Sequence, residues 1–139
     1  MSKIFWLEDE KNSFESFSFP LKNKHEITRV EDYEEADRQL SIQEFDLIIV
    51  DIIIPSGQKN ATLSDLLKHS DRYYGLEFIK KLREKGNKTP ILVLTVVSDR
   101  ATLDSIKEVD HDIEILWKYD SDANTVAQMI ENMLSLSKT

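Results

Sequence analysis

Short apolar runs rich in β-branched and aromatic residues alternate along the chain with segments whose apolar residues recur every three or four positions. The runs are typical of strands and the spaced segments of amphipathic helices. Strands are predicted at Lys3–Leu7, Glu26–Val30, Leu47–Ile53, Ile91–Val96 and Glu114–Trp117. Helices are predicted at Asn12–Phe19, Glu34–Ile42, Gly75–Lys85, Asp99–Val109 and Asp122–Leu136. This alternation predicts an α/β fold with a parallel sheet covered by helices on both faces.

One segment, Ser56–Tyr74, interrupts the alternation between the third strand and the next helix. Connections in α/β units usually have about 2–6 residues, so this segment is interpreted as an insertion. Leu63, Leu66 and Leu67 suggest a short helix within it. Two interpretations stay open: a lid over the neighbouring sheet edge, or a tolerated surface insertion. No repeat or second boundary is visible, which predicts a single domain over residues 1–139.

Composition narrows the classes of function. The chain has 139 residues, of which 40% are hydrophobic and 32% charged, as expected of a soluble globular protein. The formal net charge of -8 argues against direct nucleic-acid binding, which depends on basic residues. The absence of Cys excludes disulfides and thiolate chemistry. No apolar run approaches the roughly 18 residues of a membrane span, and no signal-peptide core opens the chain, so a cytoplasmic location is expected.

Polar residues with chemical potential follow the predicted strands. Asp51 follows Leu47–Val50, an apolar run typical of a strand buried on both faces. A charge is costly to bury in such a place, so the carboxylate is interpreted as functional. Parallel strands would bring all such residues to one edge, where ligands bind in sheets of this kind. The residues concerned are Glu8, Asp9, Asp51, Thr95 and Lys118. Structural interpretations stay open for some of them: the first two as helix caps, Thr95 as an ordinary strand residue and Lys118 as a solvated charge.

This order of residues resembles the receiver domain of two-component response regulators. The matching motifs are the acids after the first strand, VDIIIP around Asp51, ILVLT ending at Thr95 and ILWK ending at Lys118. The resemblance covers the chain apart from residues 56–74. It implies a flavodoxin-like, doubly wound sheet of five strands in the order 2-1-3-4-5. It also implies a signalling protein, not an enzyme, that takes a phosphoryl group from a histidine kinase or phosphotransfer protein and changes its binding to a downstream protein.

The resemblance also assigns roles to individual residues. Asp51 would accept the phosphoryl group, while Thr95 and Lys118 would contact its oxygens. Mg²⁺ would be held directly by Asp9, Asp51 and the backbone carbonyl of Ile53, and by Glu8 either directly or through a water. Physically, carboxylates about 4 Å apart repel by about 4 kcal/mol at an effective dielectric near 20, and a divalent cation removes that cost.

The sequence departs from the receiver pattern near Lys118. Tyr119 stands where receivers usually have Pro, so their cis peptide bond is not expected here, since a non-proline cis bond costs about 2.5–4 kcal/mol. Ile115 stands where receivers carry the switch aromatic, with Trp117 nearby on the same face. Val96 replaces a small residue beside the phosphorylation pocket. Phosphoryl binding is still expected with these changes. The conformational switch that receivers build from the Thr and the aromatic residue is not expected in its usual form.

A further departure concerns the lifetime of a phosphoryl group. In receivers, the residues two after the phosphoacceptor and two after the Thr help to place the attacking water. Here they are Ile53 and Val97, whose side chains cannot form hydrogen bonds. The resemblance therefore predicts a long-lived phosphoryl state.

Several alternatives remain at this stage. A pseudo-receiver would keep the fold as an interaction module without being phosphorylated. A phosphohydrolase with an Asp nucleophile is disfavoured, because such enzymes usually have a second Asp where this chain has Ile53. A flavodoxin-type cofactor protein is disfavoured by the lack of a Ser/Thr/Gly-rich loop after the first strand. Trp6 and Trp117 are expected in or near the core, and His25, His69 and His111 are expected to be solvated.

Overall fold

The sheet of the computed structural model, which describes residues 1–57 and 73–137, has five parallel strands. They are β1 Lys3–Leu7, β2 Glu26–Val30, β3 Leu47–Val50, β4 Ile91–Thr95 and β5 Glu114–Trp117. Their order in the sheet is β2-β1-β3-β4-β5, and each neighbouring pair is parallel, which confirms the predicted fold class and strand order. The short helix predicted around Leu63 lies outside the described residues.

The predicted end of the third strand, Ile53, is wrong by three residues. The strand ends at Val50, the last residue of β3 that pairs with β4. Ile52 and Ile54 are nevertheless completely buried, because the chain runs beneath a helix after it leaves the sheet. The apolar run Ile52–Ile54 therefore reflects burial in a loop and not strand pairing. Likewise β4 ends at Thr95 instead of Val96.

Five helices lie on the sheet among the described residues: α1 Lys11–Ser18, α2 Tyr33–Ile42, α3 Tyr74–Glu84, α4 Arg100–Val109 and α5 Ala123–Ser137. Each lies within one residue of its prediction. Short 3₁₀ turns follow α1 at Phe19–Leu21 and β5 at Lys118–Asp120, and the first of them contains Pro20. The side chains of Glu10, Asp32 and Asp99 cap the helices that follow them by accepting hydrogen bonds from backbone amides.

The strands are buried on both faces because alternate side chains enter two separate cores. In β1, Phe5 and Leu7 pack into the core beneath α2, α3 and α4, whereas Ile4 and Trp6 pack into the core beneath α1 and α5. The edge strands β2 and β5 are only partly buried. The buried central strands therefore fix the carboxyl edge of the sheet, and the residues that follow these strands have little freedom to move.

Two predictions of side-chain environment are wrong. The His25 side chain is only 10% exposed, since its Nδ1 accepts a hydrogen bond from the Ser2 amide at 3.2 Å and its Nε2 contacts the Glu131 carboxylate. Trp117 is 36% exposed at the end of an edge strand, whereas Trp6 is buried as predicted. Within the described ranges, none of the helices is both long and apolar enough to span a membrane.

The two ends of the insertion are held close to each other and to the site edge. Ile54 pairs with Tyr73 in a parallel bridge, and the Gly75 amide donates to the Ile52 carbonyl at 3.0 Å. A Cβ on Gly75 would lie 2.2 Å from the Asp51 carbonyl oxygen and 2.6 Å from the Ile52 Cα. Only glycine allows α3 to begin this close to the backbone that carries Asp51.

We predict that Gly75→Ala lowers the free energy of unfolding by roughly 1–3 kcal/mol, because the added methyl group meets backbone and not a flexible side chain. The direction is opposite to the usual gain of about 1 kcal/mol when Ala replaces Gly within a helix. Gly86→Ala is the control, because a Cβ there meets no atom within 4 Å and only the positive φ of 84° opposes it. Urea unfolding would measure both, and a smaller loss for Gly75→Ala than for Gly86→Ala contradicts the close-approach argument.

Candidate functional site

The residues predicted from strand ends meet at the carboxyl edge of the sheet. Glu8 follows β1, Asp51 follows β3, Thr95 is the last residue of β4 and Lys118 begins the turn after β5. Glu8, Asp51 and Thr95 are all buried. Asp9, next to Glu8, is partly buried. Buried polar groups need partners, so the hydrogen bonds among these residues define the site.

The Asp51 carboxylate is held from three directions. Its Oδ1 accepts from the Thr95 hydroxyl at 2.8 Å and from the Ile53 amide at 3.3 Å, and its Oδ2 accepts from the Lys118 ammonium at 2.9 Å. Thr95 is oriented in turn, because its Oγ1 accepts from the Val97 amide at 3.2 Å. The carboxylate is therefore fixed with a hydroxyl donor on one oxygen and a cation on the other.

The Glu8 carboxylate shares the same cation. Its Oε1 accepts from the Lys118 ammonium, and its Oε2 accepts from the Glu10 amide at 3.2 Å. Burial, and then the negative charge of Asp51, raise the pKa of Glu8 to about 7 although Lys118 opposes the shift. The charge state of Glu8 therefore changes near neutral pH.

Lys118 is the cation of the site. Its side chain is 11% exposed and contacts the two buried acids. Burial lowers the pKa of Lys118, but the charges of Asp51 and Glu8 outweigh burial and hold that pKa above its usual value. The side chain therefore stays protonated and brings one positive charge among several acids.

Three acids form a group that can hold a divalent cation. Carboxylate oxygens of Glu8, Asp9 and Asp51 lie within 4.8 Å of one another. Oxygen ligands at this spacing suit a hard cation such as Mg²⁺, which binds through a few carboxylates and retains waters. The donor set therefore fits the predicted metal. Ile53, whose carbonyl was predicted as a further ligand, follows Asp51 by two residues and contacts that carboxylate through its amide.

The sequence argument missed Arg29, which lies near the end of β2. Its Nε donates to the Glu8 carbonyl and its Nη2 to the Asp9 carbonyl, each at 3.2 Å. The guanidinium also forms an ion pair with Glu31 at 2.9 Å. A basic residue inside a strand that runs towards an acidic cluster was the available signal, but sequence alone could not place it against the loop after β1.

The far side of the site carries the residues that depart from the receiver pattern. The Trp117 indole donates to the Val96 carbonyl at 2.9 Å, and its ring meets that of Tyr119 edge-on at 5.2 Å. Ile115 packs against the core beneath α4. Every peptide bond in the described ranges is trans, including the one that follows Lys118.

Comparisons with known proteins place this geometry in a structural context. No protein-family model and no curated protein sequence matches the chain. Solved structures do match. The chemotaxis response regulator CheY4 of Vibrio cholerae superposes with a TM-score of 0.72 at 24% identity, covering 96% of this chain and 98% of that one.

Two receiver domains match over almost their full lengths. The BeF3-activated receiver domain of DrrB has a TM-score of 0.71 at 18% identity, covering 97% of this chain and 98% of that one. The receiver domain of Francisella response regulator 1452 has a TM-score of 0.70 at 18% identity, covering 99% of this chain and 98% of that one. At these identities the likeness establishes fold and not activity. The chain therefore has the flavodoxin-like fold of response regulator receiver domains.

Proposed function

We propose that this protein is a phosphoacceptor receiver that takes a phosphoryl group on Asp51 and signals through changed partner binding. The observation that carries the proposal is the Asp51 carboxylate, held between the Thr95 hydroxyl and the Lys118 ammonium beside two further acids. A nucleophilic carboxylate with an adjacent cation and hydroxyl suits capture of a phosphoryl group. The proposed donor is a histidine kinase or a phosphotransfer protein, and the receiver comprises a single domain over residues 1–139.

The proposed reaction is an exchange at phosphorus. One Asp51 oxygen forms a bond to phosphorus while the bond from phosphorus to the donor's leaving atom breaks, which leaves an acyl phosphate on Asp51. The ammonium of Lys118 and the hydroxyl of Thr95 now bond to the carboxylate, and both lie within reach of oxygens carried by a group on it. Each would move from a carboxylate oxygen to a phosphoryl oxygen and keep a hydrogen bond throughout.

Glu8, Asp9 and Asp51 would hold the divalent cation, with the Ile53 carbonyl as the further proposed ligand. When bound, Mg²⁺ supplies positive charge that offsets the repulsion between the acids and the incoming phosphoryl oxygens. Without that charge, the Lys118 ammonium is the cation that contacts both Glu8 and Asp51. When the cation binds, the Glu8 carboxylate would therefore contact the metal in place of the Lys118 ammonium.

The alternative candidate is an interaction module that is never phosphorylated. The observation in its favour is that both Asp51 oxygens already accept hydrogen bonds, one from the Thr95 hydroxyl and the other from the Lys118 ammonium. Such a module would use the fold for partner contact alone. The phosphorylation experiment described next separates the two candidates.

We expect incubation with Mg²⁺ and acetyl phosphate to add the mass of one phosphoryl group, measured by intact-protein mass spectrometry. Asp51→Asn and excess chelator should each abolish the gain, because one removes the nucleophile and the other the cation. Asp104→Asn, in the exposed face of α4, is the matched control and should be phosphorylated like wild type. No gain with acetyl phosphate or with histidine kinases would favour the interaction module.

Mg²⁺ affinity should rise about tenfold between about pH 6 and pH 8, because the cation binds the ionised form of Glu8, whose pKa is about 7. The free energy of unfolding without Mg²⁺ should change in the opposite direction and fall as the pH rises. A raised carboxyl pKa contributes stability below the unfolded-state value, and that contribution is lost as the pH rises through about 7.

In the presence of chelator, the free energy of unfolding of wild type should therefore fall over this pH range relative to Glu8→Gln. Isothermal titration calorimetry of Mg²⁺ and urea unfolding at several pH values would measure the two effects. Glu8→Gln should bind Mg²⁺ weakly and with little dependence on pH. A wild-type affinity that does not change with pH contradicts the assignment of Glu8 as the titrating ligand.

The acyl phosphate should be long-lived, because Ile53 and Val97 cannot orient an attacking water through their side chains. Ile53 is the better position to test, since it is partly buried whereas Val97 is only 6% exposed. Ile53→Asn should shorten the half-life of the phosphoryl group at least several-fold, measured by its loss after donor removal. Ile53→Leu controls for repacking, and equal half-lives for all three proteins would refute the argument.

A further inference from the structure

Arg29 lies beside the loop that joins β1 to α1, from which two of the three acids project. It pairs with Trp6 in the sheet, two residues before Glu8. Its guanidinium donates to two consecutive carbonyl oxygens, those of Glu8 and Asp9, each at 3.2 Å. The side chain is 20% exposed, so these hydrogen bonds compete only in part with water. Arg29 therefore holds the backbone of the acidic loop.

The two carbonyls belong to the peptide planes on either side of the Asp9 Cα. A peptide unit is planar, so fixing both planes restricts φ and ψ of Asp9 and, with them, the direction of its Cα–Cβ bond. The guanidinium is suited to this task because its donors form a rigid planar fork, which an ammonium group lacks. One side chain of β2 thus restricts the direction in which the Asp9 side chain leaves the backbone.

The guanidinium is itself held in place. Its Cζ lies 5.4 Å from the centroid of the Phe14 ring, which meets Trp6 edge-on at 5.3 Å. The Glu31 carboxylate contacts Nη2 from the more exposed side at 2.9 Å. Arg29 therefore joins β2, the first turn of α1 and the acidic loop in one arrangement.

Lys118 and Arg29 both contact residues of the acid cluster. The Glu8 and Asp51 carboxylates share the Lys118 ammonium, so their positions are linked through that cation. For Asp9, the contact from β2 is made to its backbone carbonyl. We propose that Arg29 is a positioning residue that directs the Asp9 carboxylate towards the divalent cation. This inference rests on the proposed function, because it concerns the same metal site.

The test is the dissociation constant of Mg²⁺, measured by isothermal titration calorimetry on the full chain at about pH 8. Arg29→Met keeps much of the side-chain length and removes the donors, and it should weaken Mg²⁺ binding about tenfold or more, as is typical when a partner of a metal ligand is lost. Arg29→Lys keeps the charge but not the fork, so it should also bind Mg²⁺ more weakly than wild type.

Arg83 provides a matched control for general loss of stability. It lies in the last turn of α3, at the end of the helix far from Gly75. Its side chain is 15% exposed, contacts the Asp110 carboxylate at 2.9 Å and donates to the Asn87 carbonyl at 2.9 Å. Arg83→Met should therefore lower the melting temperature, as Arg29→Met should, while leaving the Mg²⁺ dissociation constant at the wild-type value.

The possible results separate the inference from the proposed function. Wild-type Mg²⁺ binding together with unchanged binding by Arg29→Met overturns the inference alone. Full wild-type affinity in Arg29→Lys would assign the effect to charge and overturn positioning, and it decides the matter even if Arg29→Met does not fold. If Arg83→Met weakened Mg²⁺ binding as much as Arg29→Met, the loss of affinity would be explained by lower stability and not by positioning of Asp9. Absence of Mg²⁺ binding by wild type would remove the proposed metal site and the inference with it.

Discussion

The contact of one ammonium group with two buried carboxylates is the interaction on which the candidate site depends. Lys118 contacts both Glu8 and Asp51, which follow the neighbouring strands β1 and β3. Two carboxylates this close would otherwise repel each other, and burial makes their charges more costly still. The raised pKa of Glu8 shows that Lys118 offsets only part of this cost. The site is therefore short of positive charge, as expected of a place where a cation binds.

The rest of the fold keeps these charges together. The central strands are buried on both faces, so the residues that follow them have little freedom to move apart. Helix α3 begins in direct contact with the Asp51 backbone, which only Gly75 permits. Arg29 holds the backbone on the opposite side of the cluster. Stability of the sheet is thus used to maintain an arrangement that is unfavourable by itself.

Function, on the proposal made here, would come from relieving that arrangement. A cation and a phosphoryl group would give Lys118 and Thr95 new partners. Of the residues that follow them, Tyr119 is exposed and Val96 is partly buried. Thr95 precedes Val96, whose carbonyl accepts a hydrogen bond from the indole of Trp117. Trp117 contacts Tyr119, so few bonds separate the site from this exposed aromatic pair. On that proposal, this connection would replace one based on an aromatic at position 115, where the chain has Ile115, partly buried against the core.

The sequence by itself determined the strands, the helices, the class of fold and the identity of the acids, the hydroxyl and the lysine at the strand ends. These follow from local periodicity and from the rule that parallel strands share one carboxyl edge. Only the tertiary structure decided that β3 stops at Val50, that Arg29 binds the acidic loop, that His25 is partly buried against Glu131 and that Trp117 is exposed. Each of these depends on contacts between residues distant in the chain, and local patterns of polarity carry no information about which distant segment a side chain will meet.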